Sequence, residues 1–195
     1  MIAGARPAAS LPAFFSTCLE TILPASPASH TEEVAPAPRH WALLPGAGFA
    51  DSYRIRLTPQ LAKLNTTEIT ARMMASQPAW ISALIRLRDR LMAPLGLKQA
   101  GDHGGGPAGF PLLLAEPARV VMGLDDRHLD FRLCVEKSPA ATGQAADEDQ
   151  WLTVTTVVRT KRLLGKAYLA AIMPFHRCIA RSLLLGVLRE QRPAL

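Results

Sequence analysis

The chain has 195 residues, of which 49% are hydrophobic and 19% charged, with a formal net charge of +6. That length suits one domain plus a tail, and that much apolar material excludes a wholly disordered chain. Cys18, Cys134 and Cys178 form neither a CxxC pair nor a Cys/His ligand spacing, so neither a disulfide framework nor a cysteine-based metal centre is expected.

Residues 1–46 are rich in Pro and Ala, with ILPASPASHTEEVAPAPRH at their heart. Proline fixes φ and lacks the backbone donor that helices and sheets need, so this stretch reads as a partly disordered arm, with room for a short helix around Phe14 to Ile22. Arg6 is the only early basic residue, Pro12 interrupts the apolar stretch and Glu20 follows closely, which does not make a secretory signal. No uninterrupted apolar run approaches the roughly 18 to 20 residues of a bilayer span. The expectation is a soluble, cytoplasmic protein without a transmembrane segment.

The domain is expected over residues 47–192. Tyr53, Ile55 and Leu57 alternate with Ser52, Arg54 and Arg56, which predicts a first strand with one apolar face. Asn65 and Glu68 then have the spacing of a capping box, followed by Ile69, Met73 and Met74 at helical intervals. Gln77-Pro78 closes this helix and opens a second, in which Trp80, Ile81, Leu84, Ile85, Leu87, Leu91 and Met92 form a broad apolar face. The glycine-rich stretch from Gly101 to Gly109 reads as a connector. It lacks the following Lys-Ser or Lys-Thr of a phosphate-binding loop.

Phe110 to Ala115 and Arg119 to Leu124 read as strands, and Asp125-Asp126 supplies turn chemistry. Adjacent carboxylates in a tight turn point apart, so no metal is expected there. The returning segment alternates strictly: Leu129, Phe131 and Leu133 share one face, and His128, Asp130 and Arg132 the other. The polar stripe is the candidate catalytic set, with Asp130 expected to pair with its two flanking cations, unless it is only the wet face of a sheet bearing a charge ladder. It lacks a nucleophile or second base. Ser138 to Asp149 reads as a solvated loop, and WLTVTTVVRT from Trp151 as the second strong strand.

The last element is a helix from about Gly165 to Leu188, with Tyr168, Ile172, Phe175, Ile179, Leu183 and Val187 at intervals of three and four. Pro174 lies inside it and predicts a bend with the Ala170 carbonyl freed. His176, Arg177 and Arg181 edge the stripe as a second candidate site, suited to an anionic head group. Between Arg159 and Arg192 the chain carries many cations against the single acid Glu190. Without a recognition-helix or aromatic-interleaved pattern this reads as a solvated helix face, or a surface for an acidic protein partner, and not as a nucleic-acid site. Ser182 stands in no Gly-x-Ser-x-Gly elbow.

Five blocks taken together, LPGAGFADSYRI from Leu44, AWISALIRLRDRLMAPLGLK from Ala79, GLDDRHLDFRL from Gly123, VTTVVRT from Val154 and LLGKAYLAAIMPFHRCIARSLL from Leu163, resemble the bacterial domain-of-unknown-function family 2867. The resemblance covers about Leu44 to Leu185. It implies an α+β helix-grip fold of the START and polyketide-cyclase kind, in which a curved antiparallel sheet wraps a long C-terminal helix and often encloses an apolar cavity. Some relatives look like C-terminal partners of nucleotide-binding reductase-like domains, and no such domain is present here. The resemblance implies no established activity, no catalytic residues and no cofactor.

Three expectations follow. The leading one is a non-enzymatic or weakly enzymatic binder of a small apolar or amphipathic molecule, with Tyr168, Ile172, Phe175 and His176 lining a cavity from the helix and Leu129, Phe131 and Leu133 from the sheet. The second is a cyclase- or hydratase-like enzyme using His128, Asp130 and Arg132. The third is a protein-interaction module working through the basic C-terminal helix.

Overall fold

The computed structural model describes residues 31–92, 110–139 and 150–189. In chain order the elements are β1 (Glu32–Val34), α1 (Pro38–Trp41), β2 (Phe49–Arg56), α2 (Pro59–Ala62), α3 (Thr66–Ala75), α4 (Ala79–Met92), β3 (Leu112–Glu116), β4 (Arg119–Asp125), β5 (Leu129–Lys137), β6 (Trp151–Thr160) and α5 (Leu163–Arg189). The expected connector at 101–109, the loop at 140–149, the arm before residue 31 and Cys18 lie outside the described residues.

All six strands pair antiparallel in the order β1-β2-β6-β5-β4-β3. The fold is therefore α+β, with β3 to β6 running as a meander and β2 docking on β6. The expected hairpin around Asp125-Asp126 is present. Its turn is held by the Asp126 N–H, which donates to the Leu129 carbonyl at 3.1 Å, and by the His128 N–H, which donates to the Asp126 carboxylate at 3.3 Å. These are the short-range bonds that make Asp a turn residue.

The assignment of residues 1–46 to a loose arm is corrected at its C-terminal end. Glu32 to Val34 pair with Arg54 to Ser52 as the edge strand, and α1 lies against β6 with His40 and Leu44 buried. Proline misleads here because it is well tolerated in a first helical turn, where its missing N–H is not needed, and Pro38 occupies that place in α1.

The sheet has two unlike faces. One carries Tyr53, Ile55, Leu152, Val154, Val135, Val120 and Met122, which form the core with Leu61, Ile69 and Met73 from α2 and α3 and with Ala180, Leu184 and Val187 from α5. Each large aliphatic side chain fully removed from water contributes about 1.5–3 kcal/mol, so this layer supplies most of the fold's driving force. Helix α3 starts at the predicted capping box: Asn65 accepts from the Glu68 N–H at 2.8 Å, and Glu68 accepts from the Asn65 N–H at 3.0 Å. In α4 Ile81 is buried, while Trp80 and Leu87 of the expected apolar face are exposed.

Helix α5 is continuous through Pro174. By length and composition alone Leu163–Leu188 could cross a membrane, and 28% of its apolar 18-residue window is buried within the fold. The burial is uneven. Ala180, Leu184 and Val187 sit in the core, whereas Leu163 is 81% exposed. Two glycines bring the helix close to its neighbours: Gly165 lies on the His128 carbonyl and Gly186 on Ser76, with no room for a Cβ at either.

Candidate functional site

The polar stripe of β5 lies on the face away from α5, and it is not wet. Asp130 is fully buried and His128 is 8% exposed. Asp130 does not pair with His128 and Arg132 as expected. Its carboxylate meets Arg159 and Lys161, each at 2.6 Å, and accepts from the Asp126 N–H at 3.2 Å. The reason is spacing: neighbours two apart on a strand are about 6.5–7 Å apart, whereas directly opposed cross-strand residues approach to about 4.5–5.5 Å. Asp130 stands opposite Arg159 in the β5–β6 register. Arg132 turns instead to Asp125, 2.7 Å away, and neither ring nitrogen of His128 has a hydrogen-bond partner. Burial alone would raise the Asp130 carboxyl, but the Lys161 and Arg159 hydrogen bonds and charges hold it below its usual value.

Further along the same face the fold assembles a group that sequence reasoning missed. His40 Nε2 lies 2.8 Å from Glu136, which Arg39 grips with two hydrogen bonds of 3.0 and 3.3 Å. The donor atoms of His40, Cys134 and Glu136 lie within 4.8 Å of one another, a set that could suit a soft cation. The tautomer argues against it. His40 Nδ1 accepts from the Ala37 N–H at 3.1 Å, so Nε2 carries the proton and donates it to Glu136. A metal on Nε2 would force a proton onto Nδ1, facing another donor. Burial, with the Glu136 charge, pushes the Cys134 thiol up to about 12. The trio is best described as a strut that ties α1 to β5 across 96 residues of sequence. A groove of about 380 Å³ opens beside it, with Arg39, Arg119 and Thr153 on its walls.

The opposite face carries the apolar half of β5 and helix α5. At about 100° per residue, Gly165, Leu169, His176, Ala180 and Val187 fall within roughly 60° of arc, and this is the stripe that looks at the sheet. Phe175 lies about 120° away from its centre and is 43% exposed, so the expected lining residue stands at the helix flank. Tyr168 is half-buried on the same flank. Ala180, Leu184 and Val187 are buried with Leu183 half-buried among them, whereas Leu169, Ile172 and Met173 are all half-buried. On the sheet side Leu129 is buried, Phe131 and Leu133 are half-buried, and Phe110 stands edge-on to Phe131 with ring centroids 5.1 Å apart. The apolar side chains on the inward side of the N-terminal half of α5 are thus only partly withdrawn from solvent.

At the His176 end of this half-buried stretch is a polar corner. His176 Nε2 lies 3.1 Å from both oxygens of Asp51 and bonds Oδ1, while its ring stands edge-on to Phe49 at 6.0 Å. Arg177 and Arg181, the predicted cationic edge, reach Glu33 of β1 at 3.6 and 3.9 Å. Three buried polar atoms here make no hydrogen bond: Tyr53 Oη, Arg181 Nε and Asp51 Oδ2, the last of which still lies 3.1 Å from His176 Nε2. An unmade bond of this kind costs about 1–3 kcal/mol, so native structures rarely leave such a group unsatisfied without a function or a bound molecule. His176 and Arg181 were visible in the sequence as the polar margin of an apolar helix. Asp51 and Tyr53 gave no signal beyond strand alternation.

A family model described as "Protein of unknown function (DUF2867)" matches residues 43–183. The chain belongs to that family. No curated protein and no solved structure matches it.

Proposed function

We propose that this member of the DUF2867 family is a helix-grip domain of the START-like kind that holds a small amphipathic molecule in the cleft between β5 and the N-terminal half of α5. One observation carries the reading: residues on the inward side of α5 are all half-buried over Leu169, Ile172 and Met173, whereas Ala180, Leu184 and Val187 further along the helix are buried. Apolar side chains facing a sheet without closing on it leave a lined space that an apolar body can fill. The His176–Asp51 pair supplies a polar group at the end of that space.

The enzyme reading built on β5 loses support from the same geometry. Asp130 is saturated by two cations and a backbone N–H, so it has no free oxygen to act as a base. The reading as a basic interaction surface is weakened likewise, since Arg159 and Lys161 are engaged with Asp130, and Arg177 and Arg181 with Glu33.

The test is a panel of medium-chain amphiphiles added to the full chain, followed by thermal unfolding and by displacement of an environment-sensitive dye. A ligand at a hundred times its dissociation constant stabilises the fold by about 2.7 kcal/mol, a shift of several degrees. Leu169→Arg places a charge in the cleft and should abolish both signals. If no amphiphile shifts the wild-type transition or displaces the dye, the proposal is wrong.

A further inference from the structure

We propose that the polar corner formed by Asp51, Tyr53, His176 and Arg181 is a subsite for an uncharged hydroxyl, so that the molecule held in the cleft is a small amphipathic alcohol or phenol and not a carboxylic acid or an amine. This rests on the reading of the cleft as a ligand site and adds the chemistry of the ligand's polar end.

The corner is defined by atoms that lack what a hydroxyl supplies. Tyr53 is 1% exposed and its phenol oxygen has no partner. Asp51 lies two residues away on the same face of β2, and its Oδ2, 3.1 Å from His176 Nε2, accepts no hydrogen bond and so keeps acceptor capacity. The Arg181 guanidinium sits 5.8 Å from the centroid of the Tyr53 ring, and its Nε–H is unpartnered. One acceptor, one donor and one group able to do either are therefore left open. A hydroxyl fits such a set, because it accepts from Arg181 or Tyr53 while donating to Asp51. Burial, reinforced by the Asp51 charge, raises the Tyr53 phenol well above its ordinary value and keeps it a neutral donor.

Charge excludes the alternatives. Asp51 and Glu33 face Arg177 and Arg181 around this corner, so the fixed charges cancel. A ligand carboxylate would meet Asp51 and Glu33, and an ammonium would meet Arg177 and Arg181. Each ionic head would leave its own hydration shell for a site with no net opposite charge, a transfer that is unfavourable unless fully compensated. His176 holds the Asp51 carboxylate in place, with Nε2 3.1 Å from each oxygen and hydrogen-bonded to Oδ1.

The experiment compares decanol, decanoate and decylamine by titration calorimetry on the full chain, with Tyr53→Phe and Arg181→Met beside the wild type. Decanol should bind at least about tenfold more tightly than either ion, and each substitution should weaken decanol by about tenfold, the loss of one ordinary hydrogen bond. Tyr53→Phe should also raise the melting temperature of the ligand-free protein, because it removes an unpartnered buried hydroxyl. If none of the three compounds binds, the ligand-site reading itself falls. If all three bind equally, or if decanol binding is indifferent to both substitutions, the hydroxyl assignment alone is overturned. A lower ligand-free melting temperature for Tyr53→Phe with unchanged selectivity would mark the corner as a structural water site and overturn it as well.

Discussion

Asp130 and Arg159 stand directly opposite one another on β5 and β6, and the Arg159 guanidinium lies 2.6 Å from a carboxylate that has no exposure to solvent. Lys161, one residue beyond the end of β6, closes on the other carboxylate oxygen and also donates to the Asp126 carbonyl at 2.8 Å. One acid thus fixes the β4–β5 turn, the end of β6 and the approach to α5.

Removing that acid leaves two cations facing an empty site. Because both retain over a third of their side-chain exposure, they recover part of their hydration. Asp130→Ala should therefore cost about 3 kcal/mol, the low end for breaking a buried pair. Asp130→Asn keeps a carbonyl acceptor and should cost about half as much. Urea denaturation midpoints at neutral pH measure both, and equal midpoints for Asp130→Ala and wild type would contradict the assignment.

Acid should unfold the domain through Asp130 and Glu136. Burial pushes both carboxyls up, and their cationic and hydrogen-bonding partners outweigh it, so both titrate below the free values of 3.8 and 4.5. The unfolded chain then takes up protons first as pH falls. Stability from these groups is fully present above about pH 5.5, declines as the pH passes the unfolded values and is gone once it falls below the native ones. Thermal melts between pH 7 and pH 3 should show this decline, and the double variant Asp130→Asn, Glu136→Gln should flatten it.

Gly165 poses two effects of opposite sign. Alanine in a helix is favoured over glycine by about 1 kcal/mol, but a Cβ at this position would lie 2.2 Å from the His128 carbonyl oxygen. That atom is backbone, already accepting from the Lys161 N–H at 2.9 Å, and cannot swing away. Steric conflict should win, with Gly165→Ala destabilising by about 1–3 kcal/mol. A stabilised variant would mean that the start of α5 is not seated on the β4–β5 turn.

Asn65→Ala should cost about 1 kcal/mol by removing the cap of α3, with Asn65→Asp nearly neutral. The loss should be visible as a lower chemical-denaturation midpoint with an unchanged slope.

Much of this fold was legible in the residues. The capping box at Asn65 and Glu68 is a local device, formed by side chains three residues apart, and it reads the same in sequence and in structure. The alternation of Tyr53 with Ile55 and of Leu129 with Phe131 and Leu133 marks which side chains share a face, because strand side chains have a period of two whatever the strand pairs with. The order of strands, helices and a long final helix, and the family, follow from the same patterns. Pro38 and its neighbours mislead because proline content reports the absence of a donor, and α1 uses the position where that donor is not needed.

Local residue patterns dictate the set of elements and their faces: an apolar stripe and a titratable stripe on β5, and a long apolar helix with a basic margin. The partners of these faces arise only on folding. Asp130 turned from its neighbours on β5 to Arg159 across the sheet because pairing distance is set by register, which is a relation between strands and not a property of either. His40 found Glu136 from 96 residues away, and His176 found Asp51 from 125, through contacts that no local period encodes. Helix α5 carries its apolar residues along its whole length, but how far each one closes on the sheet depends on where the sheet and α3 support it. That is why Leu169 and Ile172 are half-buried and Leu184 is buried.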